Sequence, residues 1–347
     1  MPVFVRTQEI DHPIGADGRF ALRVTSPDVQ INGGDGTAAR VQITLEIRAG
    51  TEAEADELFD QSRFRVKEAE GGLEITEPRH GDTGVDGGLN VLARIFGLGR
   101  SAIARVEASV PRAAEIEYNG VSADVTATDL VGTQRYQTVS GDLVLDRVSG
   151  PIRIQAVSGD VSLRAVAPVS LDANAVSGDL SAFAPAFESV RAVTVSGDIE
   201  LEGELDERGG HRVETVSGDL SLGAVGDLTL EVRGLSTDVD VSVPHRAEGS
   251  RDRRRYVIGA GGAQVLFSSM SGDVSVRAAR RTDRMSSPIP PIPPIPPIPP
   301  VPPVPPAAPA APGPSAEEQL AILEALERGE IDVDEAARRL AGESAGV

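Results

Sequence analysis

The side chains best placed to do chemistry recur as one short element. Ser140-Gly141-Asp142, Ser158-Gly159-Asp160, Ser177-Gly178-Asp179, Ser196-Gly197-Asp198 and Ser217-Gly218-Asp219 each follow a valine, and Ser271-Gly272-Asp273 follows Met270. Two degraded copies, Val121-Ser-Ala-Asp124 and Leu235-Ser-Thr-Asp238, keep the same register. A hydroxyl and a carboxylate at fixed spacing suit three roles. They can close a turn, because Ser and Asp side chains bond nearby backbone amides and Gly takes conformations that a Cβ forbids. They can hold cations, as glycine-aspartate calcium repeats do. They can also supply acid–base carboxylates, as in polysaccharide-cleaving β-helices. A cleavage site needs a few unlike residues in one groove, and these acids are identical and regular. Calcium repeats bind through two turns with denser glycine. The turn is therefore the preferred reading.

Other routes to catalysis fare worse. The chain has no Cys, which excludes a thiol nucleophile and thiolate metal ligands. His12, His80, His211 and His245 share no metal-ligand spacing. Gly259-Ala-Gly-Gly262 lacks the lysine and the strand-to-helix setting of a phosphate loop. No serine sits in a nucleophile elbow. No catalytic, cofactor-binding or metal-binding residue is assigned, and the chain is read as non-enzymatic.

The elements that carry the motif follow from its spacing. The serines at 122, 140, 158, 177, 196, 217, 236 and 271 are separated by 18, 18, 19, 19, 21, 19 and then 35 residues. The last gap is nearly two periods and is read as holding an insertion. Apolar residues alternate across each motif (Val139, Leu143, Leu145; Val157, Val161, Leu163) and again in the second half of the repeat (Val148, Ile152, Ile154; Val169, Leu171, Ala173; Leu228, Leu230, Val232). Period two means strand. Each repeat of about 19 residues thus carries two short strands, and equivalent residues stack about 4.8 Å apart in a coil of one repeat per turn. The expected fold is all-β: a β-solenoid over 120–280 with an interior of stacked Val, Leu and Ile. Aromatics are only 3% and Trp is absent, in keeping with a narrow coil that has little room for rings.

Residues 1–119 are expected to form an N-terminal β cap and the first strands. Ala39–Ile47, Leu73–Ile75 and Ile103–Val110 alternate, and Glu52–Phe59 reads as a short helix capped by Thr51. Residues 89–98 are apolar and glycine-flanked, and read as a buried cap helix, with partner or membrane contact as the lesser alternative. The basic run Arg251–Tyr256 reads as a solvated turn facing the acidic surface. Residues 281–314 form a linker that holds 16 of the 25 prolines. Ile289, Ile292, Ile295, Ile298, Val301 and Val304 recur every third residue, one polyproline II turn apart, so residues 288–306 suit a semi-rigid spacer of roughly 60 Å. Residues 315–347 read as a helical hairpin with capping boxes at Ser315/Glu318 and Asp332/Glu335. Its apolar face, Leu320, Leu323 and Leu326, is the candidate surface for a protein partner or self-association.

Lys plus Arg is 33 and Asp plus Glu is 53, a net charge of −20. That balance argues against nucleic acid, whose phosphates need a basic face, and against anionic lipid. No run of about 18 apolar residues suggests a transmembrane helix. No secretory signal is visible, so the cytoplasm is the expected location, with the cell surface as the alternative.

The repeated Val-Ser-Gly-Asp-Leu turn resembles the hallmark of the bacterial putative-adhesin domain family, a β-solenoid domain of unknown function. Residues 322–337 look like the short SHOCT-like helical module that accompanies it. The resemblance implies a scaffold or interaction protein linked to envelope-stress responses, or a surface adhesin, and implies no catalytic residues. A β-helix carbohydrate-active enzyme is the remaining alternative.

Overall fold

The computed structural model describes residues 2–78, 102–250 and 253–279. The expected cap helix at 89–98, the linker 281–314 and the helical hairpin with Leu320, Leu323 and Leu326 lie outside the described residues.

Runs of alternating branched residues form strands, and parallel pairing stacks them. Gln134–Ser140 lies between Glu115–Ser122 and the second half of Leu143–Ala156. That half continues onto the second halves of Val161–Ala175 and Leu180–Ser196, and then onto His211–Ser217. The first halves of the same long strands build a second parallel sheet, from Val125–Thr128 to Ile199–Leu205 and Leu220–Val225. Each Ser-Gly-Asp is the corner where the chain leaves the first sheet and enters the second. Between the sheets lie columns of equivalent side chains. Val125, Leu143, Val161, Leu180, Ile199 and Leu220 form one, and Ala127, Leu145, Leu163, Ala182, Leu201 and Leu222 another, all buried.

Three sequence expectations need correction. Val139 and Val157, counted with the alternating interior set, do not join it; they are exposed, as are the equivalent Val176, Val195 and Val216. The strand before each corner buries even-numbered residues in the first copies (Tyr136, Thr138) and the strand after it buries odd-numbered ones (Leu143, Leu145). The corner therefore switches the parity that alternation was assumed to carry through. Rings are not excluded either. Tyr118, Tyr136, Phe187 and Phe267 are fully buried. Glycine makes the room at two places: a Cβ on Gly120 would lie 2.1 Å from the Tyr118 hydroxyl, and one on Gly203 would lie 3.0 Å from the Phe187 ring. Finally, Arg253–Ile258 is a strand rather than a turn. It pairs antiparallel with Leu228–Ser236 on one side and His245–Ser250 on the other.

Both ends of the coil are threaded out of sequence order. At the C-terminal end, Ala263–Ser271 lies between His211–Ser217 and Leu228–Ser236. Val274–Ala278 likewise lies between Leu220–Val225 and Val239–Val241. The sixth full motif is thus the spatial neighbour of the fifth, 54 residues away, and the degraded copy at 235–238 is outermost. At the N-terminal end, Arg19–Arg23 lies between Glu115–Ser122 and Gly72–Thr76, and Asp28–Gly34 lies between Val125–Thr128 and Ala102–Pro111. Antiparallel strands then close the stack. Ala38–Arg48 covers Ala102–Pro111, Val3–Pro13 covers Ala38–Arg48, and Arg65–Ala69 covers Gly72–Thr76. The helix Glu52–Ser62 packs Ala55 against Leu45, Ile47 and Ala49, and Thr51 Oγ1 caps it by accepting from the Glu54 amide at 3.2 Å. Such pairing covers the outermost parallel strands, which would otherwise template association.

The corner requires glycine twice over. Gly178 has φ +114°, and a Cβ there would sit 2.2 Å from the Gly159 carbonyl oxygen one rung below. Gly178→Ala should therefore destabilise by about 2–4 kcal/mol, because strain and a backbone clash add. Gly210→Ala, with nothing within 4 Å of its Cβ, should stay within about 0.5 kcal/mol of wild type. Thermal unfolding of the two variants checks this; equal effects would contradict the corner geometry.

Candidate functional site

The corner is the most regular chemical feature among the described residues. Its aspartates do not simply face water. Asp142 N–H donates to Asp124 Oδ1 at 2.9 Å, Asp160 N–H to Asp142 at 2.9 Å, and Asp179 N–H to Asp160 at 2.9 Å. The chain of bonds continues from Asp198 to Asp179 at 2.8 Å and from Asp219 to Asp198 at 2.9 Å. It then follows space rather than sequence, from Asp273 to Asp219 at 2.7 Å and from Asp238 to Asp273 at 3.0 Å. Each carboxylate thus satisfies the amide of the next rung. Two carboxylates about 4.8 Å apart repel by about 0.9 kcal/mol in water. A hydrogen bond to a charged group contributes about 1.5–3 kcal/mol, so the ladder is a net stabiliser.

The glycines form a second ladder. Cβ atoms on Gly141, Gly159, Gly178, Gly197, Gly218 and Gly272 would all lie 2.1–2.3 Å from the carbonyl oxygen of the preceding rung. Ser140, Ser158, Ser177, Ser196, Ser217 and Ser271 form an exposed hydroxyl ladder beside it. Inside the corner, Thr138 and Thr194 donate their hydroxyls to the Ser140 and Ser196 carbonyls at 3.2 and 3.3 Å.

The residue ahead of each serine completes the corner, and sequence reasoning missed it. Val121, Val139, Val157, Val176, Val195, Val216 and Met270 are 43–57% exposed. They occupy equivalent positions in successive rungs, so they form one aliphatic ridge of six steps, about 29 Å at about 4.8 Å each. Asn119, Gln137, Gln155 and Asn174, in register on the first sheet, flank part of it on one side, and the Ser and Asp ladders flank it on the other. The signal was present in the sequence as an aliphatic residue before every Ser-Gly-Asp, including the Val-to-Met exchange at 270.

The other features are structural. At the opposite corner Asp129 and Arg147 hold φ +58° and +53°, and the Arg147 guanidinium donates to both Asp129 oxygens. Those bonds hold the Asp129 carboxyl below its ordinary range. A shallow depression of about 380 Å³ on the N-terminal strands is lined by Glu9, Asp11, Arg40, Gln42, Glu107 and Ser109. Among the described residues no three His, Asp or Glu side chains converge in metal-binding geometry, and no helix is long and apolar enough to cross a membrane.

The fold and corner define a β-solenoid domain of the Toastrack type. Residues 19–277 match the model of the Toastrack DUF4097 family, and the chain belongs to that family. The SHOCT-like segment lies outside the matched residues. Among solved structures, the chain is similar to a putative lipid binding protein from Parabacteroides distasonis ATCC 8503. Identity is 15%, coverage is 79% of this chain and 96% of that one, and the TM-score is 0.45. It is also similar to a putative cell adhesion protein from Clostridium sporogenes ATCC 15579 (9% identity, 78% and 99% coverage, TM-score 0.22). A third is a putative adhesin from Bacteroides fragilis NCTC 9343 (10% identity, 78% and 97% coverage, TM-score 0.28). No curated protein matches.

The role of the aspartates separates cleanly by substitution. Asp179→Ala deprives the Asp198 amide of its acceptor and should lower stability by about 1–2 kcal/mol. Asp179→Asn keeps an acceptor and removes the charge, and should cost less than half as much. A chelator should leave the melting temperature unchanged. If Asn costs as much as Ala and chelation also lowers the melting temperature, the ladder is a cation site.

Proposed function

We propose that this chain is a non-catalytic interaction scaffold whose working surface is the aliphatic ridge of the Val-Ser-Gly-Asp corner. The observation that supports the reading is the ridge itself. Seven aliphatic side chains stand exposed in line, none of them part of the buried core. Scattered exposed valines need no explanation, whereas a contiguous ridge marks an interaction site. The fold supplies what such a surface needs: rigid spacing, set by backbone ladders rather than by loops. The envelope-stress setting belongs to this reading through the family resemblance alone.

The experiment is a comparison of the full chain with a Val157→Ser/Val176→Ser/Val195→Ser variant in cells. The variant should keep the β spectrum and melting temperature and fail to complement a deletion that the wild type complements. A fully complementing variant would overturn the reading. A polysaccharide panel should give no turnover above blank with either protein; ridge-independent turnover would revive the carbohydrate-active enzyme.

A further inference from the structure

We infer that the ridge takes a cationic, proline-rich partner segment in polyproline II conformation, with an aliphatic residue at every third position. This inference rests on the interaction reading above and names the partner class for the same surface. Two observations carry it: the spacing of the ridge and the charge beside it.

The spacing selects the backbone. Rungs repeat at about 4.8 Å, so every second aliphatic side chain is about 9.6 Å from the last. A polyproline II helix advances about 3.1 Å per residue and presents the same face every third residue, about 9.3 Å apart. Four such residues span about 28 Å and would meet Val121, Val157, Val195 and Met270 along a ridge of about 29 Å. A β-strand offers same-face side chains about 6.6–6.8 Å apart and falls out of step within two rungs. An α-helix repeats at 5.4 Å and drifts by half a rung in about four turns. A ridge one side chain wide also suits a thin rod better than a globular face.

The charge selects the second stripe. Asp124, Asp142, Asp160, Asp179, Asp198, Asp219 and Asp273 run parallel to the ridge, with Ser and Gly between. Each spends one oxygen on the next rung's amide, which leaves the other to accept from outside. A three-fold helix has three stripes. With one aliphatic stripe on the valines, the adjacent stripe lies over the acids, and Lys or Arg there pairs with every second carboxylate. A second copy of this chain matches the rung spacing but carries the same charge of −20 and its own acid ladder, so repulsion opposes it.

The test titrates a labelled (Ile-Lys-Pro)4 peptide into the full chain and follows anisotropy. Binding should be saturable and weaken as salt is raised from 50 to 500 mM, because the paired charges are exposed (about a 10 Å Debye length at 0.1 M). Val157→Ser/Val195→Ser should weaken it more than tenfold, with the melting temperature unchanged. (Ile-Glu-Pro)4 and a peptide with Ile at every fourth position should not bind. Absent binding, equal binding by the ridge variant, or indifference to isoleucine spacing would overturn the polyproline inference. Sedimentation of the full chain that shows a dimer lost in the ridge variant would assign the ridge to a second copy instead. If complementation depends on the ridge while the peptide fails, the interaction reading stands and this partner class falls.

Discussion

The structure depends on one contact, repeated: a glycine carbonyl oxygen held so close to the next rung's glycine that no Cβ fits between them. At Gly159, Gly178, Gly197, Gly218 and Gly272 the approach to the preceding rung is 2.1–2.3 Å from where a Cβ would stand. The aspartate that follows each glycine bonds the amide one rung away and keeps successive corners in line. The amide of each of these aspartates is thereby given an acceptor within the stack. Once the corner is fixed, each sheet inherits its register, and the buried columns of Val, Leu, Ile and Ala follow.

The same constraint accounts for the outer surface. A coil whose backbone repeats must line up whatever side chains sit at equivalent positions. Outward valines become a ridge, outward serines a hydroxyl file and outward aspartates a line of charge. These are not sites assembled from distant loops; they are one rung's chemistry multiplied. The closing strands at both ends keep the repetition finite. Threading Ala263–Ala278 between earlier rungs and Leu228–Val241 ties the C-terminal end to sequence-distant strands, so that end cannot fray one rung at a time.

Much of this was legible in the sequence, and the misses have physical causes. The serine spacing and the alternation of Leu143/Leu145 and Ile152/Ile154 define two strands per turn, because period two survives in any strand. The reading of Ser-Gly-Asp as a turn rested on local chemistry, a glycine between two residues whose side chains bond nearby backbone amides, and that signal does not depend on the order of the rungs. The exposure of Val139 and its equivalents was not legible, because alternation was counted across a bend that resets it. The rung order at the C-terminus was not, because periodicity orders rungs along the chain and not in space. The 35-residue gap before Ser271 marks the excursion, yet only pairing shows that the chain returns beneath it. Tyr118 and Phe187 were missed as interior residues because the room for them comes from Gly120 and Gly203, whose absent side chains leave no mark on hydropathy.

The central claim is that the corner turns its aliphatic residue outward. The chain has no native cysteine, so single-cysteine variants report accessibility without background. The measurement is the native-state rate of maleimide labelling at Val157→Cys and Val176→Cys, compared with Leu163→Cys and Leu201→Cys. The account predicts that 157 and 176 label at nearly the rate of an unfolded control, while 163 and 201 react only through unfolding, slower by a factor of a thousand or more for a domain stable by about 5 kcal/mol. Protection of 157 and 176 comparable to that of 163 and 201 would put the valines inside and contradict it.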